Sequence, residues 1–191
     1  MNTLLEEIER CRNCQAELPN EPRPVLRAHE DSKIVLIGQA PGRVVHETGI
    51  PWNDRSGDNL RKWMNLDREQ FYDTEKMSII PMGFCYPGTG DSGDFPPMKR
   101  CAPDWHGELF RLLPKVELVL LVGQYAQKYY LGKSCKRNLT ETVRNYQDYL
   151  PRYLPLPHPS PRNIRWQQKN PWFVHEIVPM LREEVKRLYV G

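Results

Sequence analysis

The chain has 191 residues, 39% of them hydrophobic and 27% charged, with a formal net charge of +3. That length suits one domain, spanning 1–191, that buries roughly 70% of its unfolded surface, and the composition excludes fibrous and low-complexity classes. The weak positive charge permits a polyanionic partner without demanding one.

The N-terminal MNTLLEEIER is acidic and amphipathic and lacks a basic segment followed by an apolar one, so no secretory signal is expected. No apolar run approaches the roughly 18 residues that span a bilayer, so no membrane partner is expected either. The chain is read as a cytoplasmic monomer. Cys11 and Cys14 follow as a C-x-x-C, with Cys85 and Cys101 far downstream and Cys135 in a loop of its own. An odd cysteine count argues against a disulfide framework. Four thiolates from two distant segments suit tetrahedral zinc or an iron–sulfur cluster; the plainer reading is a surface pair and two unrelated loop thiols.

Strands are predicted over 33–38, 77–82, 117–123 and 152–156, each a short, continuous apolar run of the kind buried on both faces in parallel sheets. Helical patterns lie between them. Leu60, Trp63 and Met64 share a face, as do Trp105, Leu109, Leu112 and Leu113, and a helix over 124–131 follows the third strand directly. Phe173, Ile177, Met180, Leu181, Val185 and Leu188 form the strongest stripe, with Pro179 inside it expected to kink the helix or move its start. This alternation predicts an α/β fold, a three-layer α/β/α sandwich around a mostly parallel four-stranded sheet. Ligands in such sheets bind beyond the carboxyl ends of the strands.

The unusual residues fall at those ends. Gly38-Gln39-Ala40-Pro41-Gly42 closes the first strand, and two glycines around a proline fix a sharp loop whose N–H groups can face a ligand. His46, Glu47, Gly49-Ile50-Pro51-Trp52 and Asn53-Asp54-Arg55-Ser56-Gly57 follow. After the fourth strand comes His158-Pro159-Ser160-Pro161-Arg162-Asn163, a histidine held between prolines.

Gly38 to Gly42 at the end of a first strand, with His158-Pro159-Ser160 near the end of a fourth, resembles the uracil-DNA glycosylase superfamily. Gly49-Ile50-Pro51-Trp52 with Ser56-Gly57, and the order of the cysteines, is similar to its iron–sulfur branch, while His158 to Asn163 looks more like the single-strand-selective branch. The resemblance implies an enzyme that flips a nucleotide out of DNA and hydrolyses its N-glycosidic bond. On it, His158 donates a hydrogen bond to O2 of the departing base, Trp52 stacks on the flipped base, and Gly38, Gln39, Ala40, Pro41 and Gly42 line the pocket. Cys11, Cys14, Cys85 and Cys101 hold a [4Fe–4S] cluster, with zinc as the alternative metal. Ser160, Arg162, Asn163, Ile164 and Arg165 contact DNA carrying a damaged base, Ile164 or Trp166 acting as a wedge, with Lys99 and Arg100 beside a second DNA-facing loop.

The chain departs from the resemblance where chemistry is needed. Gln39 replaces a usual Glu, and Val45 and His46 replace an acidic pair, so the attacking water is assigned to His46 first, with Glu47 and Asp54 as alternatives. Pro81 stands where relatives carry a uracil-reading Asn, leaving Asn53 or backbone groups to read the base. Gly42 takes the place of a thymine-excluding Tyr. A non-catalytic nucleic-acid or damaged-nucleotide binding protein of the same fold is the alternative function.

Overall fold

The strands of the central sheet are buried at almost every position because helices cover both of its faces. The computed structural model describes every residue except Ser92 and Gly191. The sheet contains β1 (Ile34–Ile37), β2 (Met77–Ile79), β5 (Leu118–Val122) and β6 (Tyr153–Leu156); a hairpin of β3 (Thr89–Gly90) and β4 (Gly93–Asp94) lies between β2 and β5 in the chain. All four sheet strands are parallel, in the order β2-β1-β5-β6. Ile34 pairs with Met77 on one side and Leu118 on the other. The helices are α1 (Asn2–Glu9), α2 (Arg43–Thr48), α3 (Arg55–Met64), α4 (Arg68–Phe71), α5 (Cys101–Arg111), α6 (Gln124–Leu131), α7 (Leu139–Arg144), α8 (Ile164–Lys169) and α9 (Val178–Val190).

The pleat sends alternate side chains to opposite faces. Ile34, Leu36, Leu118, Leu120 and Val122 pack with Leu60, Trp63 and Met64 of α3 and with Leu181, Val185 and Leu188 of α9. Val35, Ile37, Val119 and Leu121 pack on the other side against Ile8 of α1, Leu109 of α5 and Ala126 of α6. These two clusters are the cores of the expected three-layer sandwich, and they explain why the strands read as unbroken apolar runs rather than as alternation.

The predicted strands are trimmed at their ends; β2 stops at Ile79, although backbone pairing runs on through Ile80 and Met82, whose N–H groups donate to the Leu36 and Gly38 carbonyls, and Pro81 is tolerated between them because its missing N–H would face the outer edge of the sheet. The long C-terminal stripe accommodates its proline. Residues 171–190 form one continuous helical run in which Phe173–Ile177 is a π-helical turn, and α9 begins at Val178 with Pro179 directly after that widened turn, where the regular ladder is already interrupted. Arg182 of α9 donates to the carbonyls of Trp63 and Lys62 at the end of α3.

From β1 the chain steps to β2 on one side, then crosses back to β5 on the other. The carboxyl ends of β1 and β5 therefore flank a topological switch point, where sheets of this kind leave a crevice. No helix among the described residues is long and apolar enough to cross a membrane.

Candidate active site

A cavity of about 220 Å³ opens at that switch point. All five residues of the loop after β1, Gly38 to Gly42, line it, together with Trp52, His158, Ser160 and Arg162. The loop is fixed by its neighbour after β2: Met82 N–H donates to the Gly38 carbonyl at 2.9 Å and Gly83 N–H to the Gln39 carbonyl at 3.0 Å. The Gln39 side chain reaches out of the loop, its Nε2 donating to the Phe95 carbonyl at 3.2 Å.

Trp52 forms one wall. Its indole crosses Gly38 so closely that a Cβ there would lie 2.7 Å from Cζ2. Its backbone adopts φ 55°, an unfavourable conformation for a large side chain. Two hydrogen bonds hold it there. Arg61 donates to the Trp52 carbonyl at 3.3 Å, and the Tyr72 hydroxyl to the Pro51 carbonyl at 2.7 Å. Gly57 permits the close passage, since a Cβ on it would sit 1.8 Å from the Trp52 carbonyl oxygen. A strained aromatic, over-determined by its surroundings and facing a cavity, is a hallmark of functional sites.

His158 stands across from it, with ring centroids 5.7 Å apart. Nδ1 of His158 accepts the Ser160 N–H at 3.2 Å, and Asn163 Nδ2 donates to the His158 carbonyl at 2.8 Å. Burial lowers the pKa of His158, partly opposed by the nearby Asp54 and Asp94 carboxylates. The imidazole is thus neutral near pH 7. With Nδ1 occupied as an acceptor, its single proton resides on Nε2, and the ring is a neutral hydrogen-bond donor.

Two carboxylates that share the cavity complete it. Asp54 caps α3, its Oδ1 accepting the Gly57 N–H at 2.9 Å. Asp94, in β4, is held by the Thr89 hydroxyl, which donates to its Oδ1 at 2.5 Å. Sequence reading missed Asp94 and Thr89, because strands of two residues carry no periodic signal.

Other candidates lie elsewhere. His46 is absent from the cavity lining; α2 turns its ring against Tyr86, 5.7 Å away, and its buried Nδ1 makes no hydrogen bond among the described residues. Glu47 pairs with Arg43 at 2.9 Å, outside the cavity. Asn53 accepts from Arg68 at 2.6 Å and lines an open groove beside the cavity, together with Arg55, Ser160 and Arg162. Ile164 and Arg165 are exposed at the start of α8. Trp166, the second wedge candidate, packs instead against Trp172 and Phe173, its indole N–H donating to Thr140 at 2.9 Å. Arg100 is engaged away from the groove, by Asp104 at 3.2 Å and the Asn13 carbonyl at 3.3 Å. Pro81 lines the cavity, and its carbonyl accepts from Nε2 of the buried His106 at 3.0 Å.

Cys11, Cys14, Cys85 and Cys101 line one narrow cavity with Phe84 and Met98. All are free thiols. Burial pushes Cys85 up to about 11 and Cys101 up to about 12, with the neighbouring thiols acting in the same direction. Among the described residues, no group of three or more His, Cys, Asp or Glu side chains forms a site able to hold a metal ion. Cys135 lies apart, its thiol donating to the Gln127 carbonyl at 3.3 Å.

The segment that builds the cavity at the switch point matches a known family. Residues 27–182 match the family model of the uracil DNA glycosylase superfamily. The match takes in the whole sheet and every residue of the cavity except Val25; of the four clustered cysteines it includes Cys85 and Cys101 but begins after Cys11 and Cys14. Because it extends over most of the 191 residues, it supports a glycosylase-type function in general, and the chain belongs to the uracil DNA glycosylase superfamily.

Proposed function

We propose that this protein is a base-excision glycosylase that hydrolyses the N-glycosidic bond of uracil, or a related deaminated base, in DNA. The observation that carries the reading is the tautomer of His158: Nδ1 accepts from the Ser160 backbone, so Nε2–H is the donor of a neutral ring beside the cavity. As the glycosidic bond breaks, its electron pair moves to the base and negative charge grows on the base oxygen. A fixed neutral donor gains strength at that moment without first repelling or trapping a proton.

The rest of the site suits a flipped base. A base drawn from the stack finds the Trp52 indole as a stacking surface, while the backbone of Gly38 to Gly42 offers polar groups along its edge. The groove that carries Arg55, Ser160 and Arg162 leads away from the cavity mouth and suits the phosphates on either side of the flipped nucleotide. Ile164, 54% exposed on the same segment, is placed to fill the gap left in the stack. Asn163 acts indirectly by holding the His158 backbone.

The [4Fe–4S] reading is supported by the donor set alone: four thiols line one small apolar space. Zinc would require the sulfurs to close in to about 2.3 Å from a single ion. When bound, the cluster would tie the segment after α1 to the loop after β2 and the start of α5, and no step of the hydrolysis uses it.

The test is a panel of oligonucleotides, each carrying one lesion, treated with alkali after incubation to cleave abasic sites. Strand cleavage at uracil, or at another deaminated base, supports the reading. DNA binding without cleavage at any lesion would replace it with that of a non-catalytic lesion-binding protein.

A further inference from the structure

Hydrolysis needs a group to hold and deprotonate the attacking water, and the loop after β1, Gly38-Gln39-Ala40-Pro41-Gly42, has no carboxylate. Of the candidates nearest in sequence, His46 faces Tyr86 and Glu47 is paired with Arg43, while Asp54 lines the cavity but is tied to the start of α3 as its cap and is the rival that the test below separates. The β3–β4 hairpin delivers another. Thr89 and Asp94 are cross-strand partners, and both line the cavity. Oδ2 of Asp94 lies 3.4 Å from where a Cβ on Gly42 would stand, so the carboxylate reaches the loop after β1 from the opposite side. On the other flank, Gly93 abuts Arg162, whose Nη1 would lie 3.0 Å from a Cβ there. The hairpin therefore spans the cavity from the first loop to the segment after His158.

The carboxylate is also oriented. The Thr89 hydroxyl donates to Asp94 Oδ1 at 2.5 Å and stands 2.6 Å from the hydroxyl of the buried Tyr86. With the Thr89 proton committed to Asp94, the Tyr86 hydroxyl must be the donor in the second contact. Tyr86, Thr89 and Asp94 thus form a directed chain that ends on a carboxylate at the cavity. A negative charge at the mouth of a polyanion-binding site weakens binding, so its placement is better explained by chemistry than by affinity.

We infer that Asp94 is the catalytic carboxylate of this site, and that Thr89 and Tyr86 are its positioning residues. The inference rests on the glycosylase reading. Asp94 accepts a proton from water as the water oxygen bonds to the sugar C1′. The C1′–N bond breaks with its electron pair going to the base, whose anion is held by His158 Nε2–H. The proton on Asp94 later passes to solvent, and the base takes one from solvent, so the products are an abasic site and the neutral base.

The test compares wild type, Asp94→Asn, Asp54→Asn and Thr89→Val in single-turnover excision and in binding to the same lesion oligonucleotide. Asn at 94 keeps an acceptor for Thr89 and the hairpin's shape. It should lower the excision rate by about a hundredfold or more while binding DNA at least as tightly as wild type. Thr89→Val should lower the rate by about 3- to 10-fold with binding unchanged, a split that general loosening of the hairpin would not produce. Excision by Asp94→Asn at the wild-type rate overturns the assignment and leaves the glycosylase reading standing, as does a loss confined to Asp54→Asn or one that tracks weakened binding. A wild-type protein that releases no base from any lesion overturns both.

Discussion

Trp52 and Gly38 are built as a pair: the indole lies where a side chain at position 38 would be, and a Cβ on Gly38 would come within 2.7 Å of its Cζ2. The glycine that follows β1 therefore sets the position of the aromatic wall opposite His158. Gly38→Ala should push the indole into the cavity at a modest stability cost of about 1–3 kcal/mol, while excision falls by a larger factor than stability explains. Urea denaturation and excision rates on one preparation measure both. Unchanged excision would mean that the position of Trp52 does not matter to the reaction. Gly57→Ala is the contrasting variant: its Cβ would meet the Trp52 carbonyl at 1.8 Å, so it should damage fold and activity together.

His106 links stability to pH. Burial lowers its pKa to about 4, and its ring bridges the Pro81 carbonyl and the Tyr130 hydroxyl. The unfolded chain binds a proton here near pH 6.5, whereas the folded chain resists until about pH 4. Stability is therefore complete above pH 6.5 and is lost as pH falls toward 4, by about 3 kcal/mol for this one group. His158, with its pKa lowered in the same way, adds to the trend. Urea midpoints across that range should fall for wild type and fall less for His106→Phe. Equal slopes would show that His106 is not the group responsible.

The cysteines divide four to one. Cys11, Cys14, Cys85 and Cys101 share a cavity that Cys135 does not reach. Anaerobically purified protein is expected to be brown and to contain about four irons per chain, with iron lost from Cys101→Ala and retained in Cys135→Ala. Stoichiometric zinc in a colourless protein would replace the cluster with a zinc site. Equal metal content in Cys101→Ala and wild type would remove the site altogether.

The layout of the sheet was legible because its physics is local. Runs such as Ile34–Ile37 and Leu118–Val122 have no polar position, which only a strand covered on both faces can use. His158 could be found because prolines on both sides fix a histidine at a strand end. What stayed hidden depends on packing at a distance. The hairpin that carries Asp94 is made of Thr, Gly and Asp, residues that also mark ordinary turns. Trp166 follows two arginines and an exposed isoleucine, a surface pattern, yet its indole is drawn inward by Trp172, Phe173 and Thr140. The resemblance puts an acidic residue at the position of His46, but the His46 ring packs beside Tyr86, forty residues on. Side-chain direction at a helix of six residues is not written in its own sequence.

The most direct test concerns His158. A donor that acts on charge present only as the bond breaks contributes to rate and little to binding, and phosphate contacts carry most of the affinity for DNA. Single-turnover excision and equilibrium binding should be measured for wild type and His158→Ala on the lesion that wild type cleaves best. The account predicts that excision falls by about 10²–10³ while affinity for the lesion DNA stays near wild type. Excision by His158→Ala at the wild-type rate would contradict it.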